Sequence, residues 1–193
     1  MILQHFRLNP IEVNTYIFGC SQTKEVMIID LGEWDERIPN FIAEHGLTVR
    51  KIFITHDHHD HTDAVQDAIN AFQPHTISGT PSPGGIQVDE VVGHGDTITI
   101  GTLTGRIVDT SGHTPVGLSL IFEHQNGAPG IVFSGDALFA GSVGGTGTPE
   151  TYEQQLQNIR DHLFTLPCDY EVYSGHGPAT TIGIERAHNP FFN

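Results

Sequence analysis

Residues 56–61 concentrate side chains that bind metal ions, in the order His-Asp-His-His-Asp-His. The segment directly follows an apolar stretch that reads as a buried strand. Because residues two apart in an extended chain point to the same side, His56 and His58 would face one point. The chain must turn at the adjacent Asp60 and His61, which can therefore reach a second point. Imidazole and carboxylate are ligands that zinc, iron and manganese prefer, so the segment predicts two metal ions close together.

Three further ligand-type residues occur in one repeated context: a strand-like segment, a glycine and then the candidate. They stand in Ser111-Gly112-His113, Ser134-Gly135-Asp136 and Ser174-Gly175-His176. Each glycine permits a sharp turn or a close backbone approach at the end of its strand. Catalytic groups that converge from separate strand ends are typical of enzyme sites, which disfavours the alternative of a merely solvated polar loop. The candidate ligands are His56, His58, Asp60, His61, His113, Asp136 and His176.

The segments that must position these residues alternate between short strands and longer helices. Apolar patterning predicts strands at 1–8, 13–20, 25–31, 49–55, 97–100, 103–110, 118–123, 131–134 and 171–174. Helical spacing predicts helices at 35–45, 63–72 and 150–164, with Thr62 or Asp63 as the N-cap of the second. Asn9-Pro10 separates the first two strands, residues 79–85 are expected to form a loop, and residues 178–193 a short tail. This order favours a sheet-on-sheet core with helices outside over a doubly wound fold.

Length and charge narrow the class of protein. The chain has 193 residues, which is enough for one domain with a single core. Its 8 basic residues against 23 acidic ones give a formal net charge of −15, which argues against nucleic acid or an anionic membrane as a partner. The N-terminus lacks the charged and apolar regions of a signal peptide, so we expect a cytoplasmic location. Two cysteines are too few for a disulfide scaffold or a thiolate metal cage.

The spacing of the candidate ligands resembles that of the metallo-β-lactamase superfamily. The pattern is His56-x-His58-x-Asp60-His61, followed at increasing distance by His113, Asp136 and His176. Within the superfamily the chain is most similar to the short glyoxalase II-like (hydroxyacylglutathione hydrolase-like) hydrolases. The resemblance runs from about Asn14 to the C-terminus, and further stretches that carry it are 28–32, 111–115, 135–142, 175–181 and 189–191.

The resemblance implies an α+β fold, a four-layer αββα sandwich with a dinuclear metal site between its two sheets. It implies one domain over residues 1–193, without the C-terminal helical domain that holds glutathione in full-length glyoxalase II. Carried over residue by residue, the ligands of the first metal are His56, His58 and His113, and those of the second are Asp60, His61 and His176. Asp136 would bridge the two divalent ions, which we expect to be zinc, with iron or manganese as alternatives.

The reaction that the resemblance implies is hydrolysis of a small thioester or a related acyl compound. A hydroxide shared between two divalent ions has a lowered pKa and needs no protein general base. One ion can polarise the substrate carbonyl and hold the developing oxyanion. A thiolate departs without a proton, which suits a site with no evident general acid. The candidate catalytic carboxylates are Asp136, as the bridge, and Asp60, which could handle a proton.

The glycine-rich segment (Gly144–Pro149) departs from the pattern of the short glyoxalase II-like hydrolases. Those relatives carry arginine, aspartate and phenylalanine where this chain has Gly145, Gly147 and Thr148. The chain also has no basic residue in the range 107–159. An anionic glutathione conjugate would therefore meet little positive charge besides the metals. We expect this segment to be mobile and to set the substrate range without altering the metal site.

Two other functions stay open on the sequence alone. The first is a mononuclear iron oxygenase that resembles persulfide dioxygenases and uses His56, His113 and Asp136 as its ligand face. The second is a metal-binding relative without glyoxalase activity. The complete second set of ligands favours hydrolysis. Asp30, near the end of a predicted strand, is open between a role as partner to a ligand and ordinary capping of a strand end.

Overall fold

The computed structural model describes residues 1–8, 12–124 and 127–192, which form two compact units. Unit 1 comprises Met1–Val92 and Ile98–Thr104, and unit 2 comprises Gly93–Thr97 and Gly105–Asn193. Each unit contains strands of a mixed sheet and helices whose apolar side chains are buried with those of the strands. The candidate ligands from residues 56–61 belong to unit 1, and the three that follow along the chain belong to unit 2.

The sheet of unit 1 has six strands whose order in space is the order of the sequence. They are β1 (Ile2–Leu8), β2 (Val13–Gly19), β3 (Glu25–Ile29), β4 (Thr48–Ile54), β5 (His75–Ser78) and β6 (Glu90–Val91). The first three strands pair antiparallel, and β3 to β6 pair parallel. Every residue of β2 is buried, as are all but the first of β3, so these strands supply the centre of the sheet.

Two helices bury apolar residues in the core of unit 1. They are α1 (Arg37–Glu44) and α3 (Val65–Phe72), and a single turn, α2 (His59–Thr62), precedes α3. The buried helix residues are Ile38 and Ile42 in α1 and Val65 and Ala68 in α3. Residues three or four positions apart share one face of a helix. These helix faces pack with strand side chains in one buried cluster. The cluster includes the end of β4, just before the candidate ligands of residues 56–61.

The second sheet also has six strands, and a two-stranded hairpin stands apart from it. The strands in chain order are β7 (Thr97–Ile100), β8 (Leu103–Asp109), β9 (Leu118–Phe122), β10 (Ile131–Gly135), β11 (Leu138–Phe139), β12 (Ser142–Val143), β13 (Glu171–Ser174) and β14 (Thr180–Thr181). The sheet order is β14-β13-β10-β9-β8-β7, and β11 pairs with β12. β10 is a central strand because it pairs parallel with β13 and antiparallel with β9.

Helix α4 (Pro149–His162) is the long helix of unit 2. It begins with a capping box, in which Thr148 and Thr151 exchange bonds between side chain and backbone. Leu156 and Ile159 are buried three positions apart and pack in one cluster with side chains of β10 and β13. Because β10 and β13 end at candidate ligands, α4 packs on the strands that deliver them.

The structure corrects the sequence predictions at several element ends. The predicted strand at 25–31 ends at Ile29, because Asp30 takes a left-handed backbone conformation with φ +53°. Neither Thr62 nor Asp63 caps the following helix, since α2 ends at Thr62 and α3 begins after Ala64, which makes no side-chain capping bond. The predicted turn at Asn9-Pro10 lies outside the described residues.

The predicted loop and tail contain more regular structure than their composition indicates. A 3-10 turn at Pro83–Gly85 stands within the predicted loop. The predicted tail forms β14 and a helix, α5 (Ile182–His188), whose N-cap is Thr181. Among the residues that the structure describes, no helix is long and apolar enough to cross a lipid bilayer.

Candidate metal centre

The candidate ligands of unit 1 lie on the segment that leaves β4. His56 and His61 are buried, whereas His58 and Asp60 are partly exposed. His56 Nε2 lies 3.2 Å from His58 Nδ1, and His61 Nε2 lies 3.6 Å from Asp60 Oδ2. The ring centroids of His56 and His61 are 4.1 Å apart. The structure therefore brings the four candidate ligands of this segment together.

The carboxylate of Asp30 anchors this cluster. It is 2% exposed and stands directly after β3. Its Oδ1 accepts the N–H of Thr55 at 2.8 Å, and its Oδ2 accepts the Thr55 hydroxyl at 2.7 Å. Oδ2 also lies 2.8 Å from His61 Nδ1, which donates to it. Asp30 thus fills both roles that the sequence left open, because it caps a strand end and orients a candidate ligand.

These hydrogen bonds determine which ring nitrogens of the neutral imidazoles carry the proton. A carboxylate oxygen only accepts, so His61 donates from Nδ1 and carries its lone pair on Nε2. The Thr55 hydroxyl gives its proton to Asp30 and therefore accepts from His56 Nδ1 at 3.0 Å. Both rings consequently present Nε2 lone pairs to the cluster, and a lone pair on nitrogen is what a metal ion binds.

Backbone contacts hold the ligand segment against the residues that follow β3. Leu31 donates its N–H to His61 O at 2.9 Å, and its own carbonyl accepts from Ala64 N at 3.1 Å. A β-carbon at Gly32 would lie only 1.7 Å from Asp60 O, so a side chain there would force the two segments apart. Residues 30–32, directly after β3, therefore support the cluster through their backbone as well as through the Asp30 side chain.

The candidate ligands of unit 2 converge on one carboxylate oxygen. Asp136 is 8% exposed and directly follows β10. Its Oδ2 lies 3.6 Å from His113 Nε2 and 3.7 Å from His176 Nε2. His113 Nδ1 donates to Gly145 O at 2.6 Å, so a neutral ring in this position has its lone pair on Nε2. The ends of β8, β10 and β13 thus bring their three candidate ligands together.

Glycines and α4 shape the turns after β8 and β10. Gly112 and Gly135 have φ values of +143° and +50°, a region that favours glycine. A β-carbon at Gly112 would also lie 2.3 Å from Gln155 Cβ. Gln155 is fully buried and donates its side-chain amide to Ala137 O at 3.0 Å. The expectation that these glycines permit sharp turns and close approach is confirmed.

A buried carboxylate in the C-terminal segment was not among the candidate residues. Glu185 of α5 is 1% exposed, and its Oε2 accepts Gly141 N at 2.9 Å and Asn189 Nδ2 at 2.8 Å. Its Oε1 accepts the Thr180 hydroxyl at 2.6 Å, and Asn189 also donates to Ser142 O at 3.0 Å. These bonds hold the β11–β12 hairpin, which directly follows the turn after β10. The only sequence signal was a glutamate within a segment that read as a tail.

The glycine-rich segment contacts the unit 2 cluster, which the sequence analysis did not expect. Its Gly145 carbonyl holds the His113 ring, and a β-carbon at Gly144 would lie 2.0 Å from Asp136 O. By contrast, β-carbons at Gly145 and Gly147 would meet nothing within 4 Å. The segment therefore supports a candidate ligand through its backbone, while two of its positions leave room for side chains.

Known proteins resemble this chain along most of its length. A family model described as the Metallo-beta-lactamase superfamily matches residues 8–176. The probable metallo-hydrolase YqgX of Bacillus subtilis is 31% identical, over 96% of this chain and 95% of that protein. The hydroxyacylglutathione hydrolase GloC of Haemophilus influenzae is 29% identical, over 95% of this chain and 96% of that protein.

Solved structures share the fold. The BLEG-1 B3 metallo-beta-lactamase has a TM-score of 0.89 at 30% identity, with 100% of both chains covered. ETHE1 from Myxococcus xanthus has a TM-score of 0.86 at 30% identity, over 98% of this chain and 84% of that chain. TTHA1623 in a di-iron-bound form has a TM-score of 0.77 at 26% identity, over 97% and 99%. The predicted α+β fold of the metallo-β-lactamase type is thereby confirmed.

Replacing Asp30 by asparagine should loosen the unit 1 cluster with little change in side-chain volume. An amide nitrogen cannot accept, so donors from Thr55 or His61 lose a partner. A buried donor without an acceptor costs about 1–3 kcal/mol, and we expect the free energy of unfolding to fall by this amount. Urea unfolding of chelator-treated protein measures it, with the exposed Asp57→Asn on the same segment as control. Equal stability of the two variants would contradict the anchoring role.

Alanine at Gly144 should destabilise unit 2, whereas alanine at Gly147 should not. The added methyl at Gly144 must displace Asp136 O, which we expect to lower the free energy of unfolding by about 1–3 kcal/mol. Gly147→Ala meets open space and should stay within about 0.5 kcal/mol. Because both variants carry the same change in the unfolded chain, their difference isolates the contact. Thermal or urea unfolding measures it, and equal values would rule out the close approach.

Proposed function

The chain belongs to the metallo-β-lactamase superfamily, and on that premise we propose that it is a hydrolase with a dinuclear metal centre that cleaves thioesters or related acyl compounds. The observation that supports the proposal best is the pair of ligand clusters, one in each unit. In both clusters imidazole nitrogens approach a carboxylate oxygen, at 3.6 Å in unit 1 and at 3.6 and 3.7 Å in unit 2. Bonds to Asp30 and to Gly145 O orient two of these rings.

We assign the metal ligands as the family resemblance implies. The assignment is His56, His58 and His113 for the first ion, Asp60, His61 and His176 for the second, and Asp136 as the bridge. The chemistry of the donors fits divalent ions, because nitrogen lone pairs are combined with carboxylate oxygens. We propose zinc, with iron or manganese as alternatives, since all three accept this mixture of nitrogen and oxygen donors.

Two divalent ions bound there would supply a water of lowered pKa and would polarise the acyl carbonyl. The chain's own residues keep the ligands in place, since Asp30 holds His61 and Gly145 O holds His113. We assign proton handling to Asp60, whose side chain is 12% exposed and so reaches the surface. As a proposed metal ligand Asp60 is poorly placed to protonate the leaving group, so this assignment contains no general acid for it. It therefore favours thioesters, whose thiolate departs without a proton.

Relatives support thioester chemistry at the level of family likeness. The names of several of them are hydroxyacylglutathione hydrolase, and a hydroxyacylglutathione is a thioester. One of these, from Idiomarina loihiensis, is 30% identical over 88% of this chain, which spans 65% of that protein. The acyl chemistry is the part of the relatives' function that we propose for this chain.

Metal content and substrate turnover together test the proposal. Protein purified without added metal should hold about two divalent ions per chain and hydrolyse acyl thioesters. Chelation should abolish turnover, and added Zn²⁺ should restore it. About one iron per chain with oxygen uptake on persulfides would support the mononuclear oxygenase instead. Bound metal without turnover of any thioester would support a metal-binding relative that has no hydrolase activity.

Loss of Asp136 should be more damaging than loss of His176. His113 and His176 approach the same Asp136 oxygen, so Asp136→Ala removes a group shared by both proposed metal positions. We expect this variant to lose both ions and its kcat to fall at least about tenfold below that of His176→Ala. Elemental analysis and steady-state kinetics measure both quantities, and Asp136→Asn separates lost charge from lost packing. Equal metal content and activity in the two alanine variants would exclude the bridging role.

A further inference from the structure

A pocket of about 450 Å³ opens beside His113 in unit 2. Its walls include Thr114, Thr148, Thr151, Gln154 and the backbone of Gly147. His113 is a proposed metal ligand, so a molecule in this pocket lies beside a residue that is assigned to the first ion. The pocket is therefore the place in unit 2 where a part of the substrate next to the reacting carbonyl can be recognised.

The walls of this pocket provide no ion-pair partner for a charged ligand. None of the described residues that line it is a lysine, arginine, aspartate or glutamate. Unit 2 has three arginines and no lysine. They are Arg106, paired with Glu123; Arg160, over the Phe192 ring; and Arg186, bonded to Phe164 O. An anionic group in the pocket would thus find no arginine of this unit directed to it.

The N-terminus of α4 borders the pocket, but its donors are used within the protein. The N–H groups of Thr148 and Thr151 bond to each other's hydroxyls in the capping box, and Pro149 has no N–H. Hydrogen bonds from its own N–H and from the Thr148 hydroxyl lower the pKa of the Glu150 carboxyl below its ordinary value. The first turn of the helix therefore already carries an anion of its own, in the position where a bound anion would be stabilised.

We propose that this pocket receives an uncharged part of the substrate, an inference that rests on the proposed hydrolase function. The substrate class is thioesters or related acyl compounds whose group beside His113 carries no charge. Glutathione and other anionic thiols are outside this class, because the chain's net charge of −15 also opposes the approach of anions. A cationic group would find no carboxylate among the described residues that line the pocket.

Two substrate series test the charge preference of the pocket. In the first, acetyl thioesters of N-acetylcysteamine, 3-mercaptopropionate and thiocholine present a neutral, an anionic and a cationic thiol. In the second, the thiol is N-acetylcysteamine and the acyl chain ends in an amide, a carboxylate or a trimethylammonium group. In at least one series the neutral member should exceed both charged members about tenfold or more in kcat/KM. Equal or faster turnover of the anionic member in both series would overturn the proposal.

Variants at Gly147 locate the preference in this pocket. Gly147 lines the pocket and a β-carbon there would meet nothing within 4 Å, so Gly147→Arg introduces a cation at the pocket wall. It should lower KM for the anionic member of the selective series by up to about tenfold, as an exposed ion pair allows. Gly147→Gln, similar in length but neutral, should keep the native preference. An unchanged preference in Gly147→Arg would show that the selective group binds elsewhere.

Binding of inert analogues separates this proposal from the proposed function. Thioethers that match each substrate cannot be hydrolysed, and their affinity is measured by calorimetry for native protein and both Gly147 variants. If no thioester is turned over by metal-loaded protein, the hydrolase function fails, yet tighter binding of the neutral thioether with reversal in Gly147→Arg still supports the pocket. If no thioether binds, or the anionic one binds best to native protein, the pocket proposal is wrong even where thioesters are hydrolysed.

Discussion

The buried carboxylate of Asp30 is the interaction on which the unit 1 cluster depends. A carboxylate removed from water is tolerated only when hydrogen bonds replace its hydration, and Thr55 and His61 supply them. Because Asp30 follows β3 and Thr55 follows β4, the bonds that satisfy the charge also join two strand ends. The same bonds orient the His61 ring and, through the Thr55 hydroxyl, the His56 ring. The stability of the fold in this region and the geometry of the candidate site therefore rest on one set of contacts.

Unit 2 orients His113 and the turn after β10 with a helix and main-chain groups, and its buried carboxylate, Glu185, holds the hairpin that follows. The Gln155 amide donates to Ala137 O, and α4 occupies the space that a side chain at Gly112 would need. The Gly145 carbonyl then sets the His113 ring. The groups that bond to His113 and to the turn after β10 in this way are neutral, and Asp136 is the carboxylate that His113 and His176 approach. In unit 1 two carboxylates lie beside the His61 ring, since Asp30 bonds to its Nδ1 and Asp60 lies near its Nε2.

Features that follow from local pattern could be predicted from the sequence, and features that depend on distant partners could not. Apolar runs that end in a glycine predicted the strand ends before His113 and Asp136, and the histidine motif predicted the cluster after β4. The roles of Gln155 and Glu185 were not predicted because their partners lie 18 and 44 residues away along the chain. A polar residue in a helical pattern is also expected to be exposed. The turn expected at Asp60 and His61 is helical, which the sequence did not indicate for a similar reason, since Asp30, 31 residues earlier, holds His61. Which polar or charged side chains are buried depends on tertiary contacts, and the periodicity of the sequence does not indicate those contacts.

The bond between His113 and the Gly145 carbonyl bears on how such a protein can evolve. A main-chain carbonyl is present whatever side chain a residue carries, so this support survives amino-acid replacement as long as the backbone path is kept. Gly147, which has open space beside its α-carbon and lines the pocket next to His113, can then accumulate changes that alter which molecules fit there. Selection for a different substrate is thereby decoupled from selection for the position of the His113 ring. A new specificity can therefore arise by a single replacement in the present sequence. Such a variant keeps the bond between His113 and the Gly145 carbonyl.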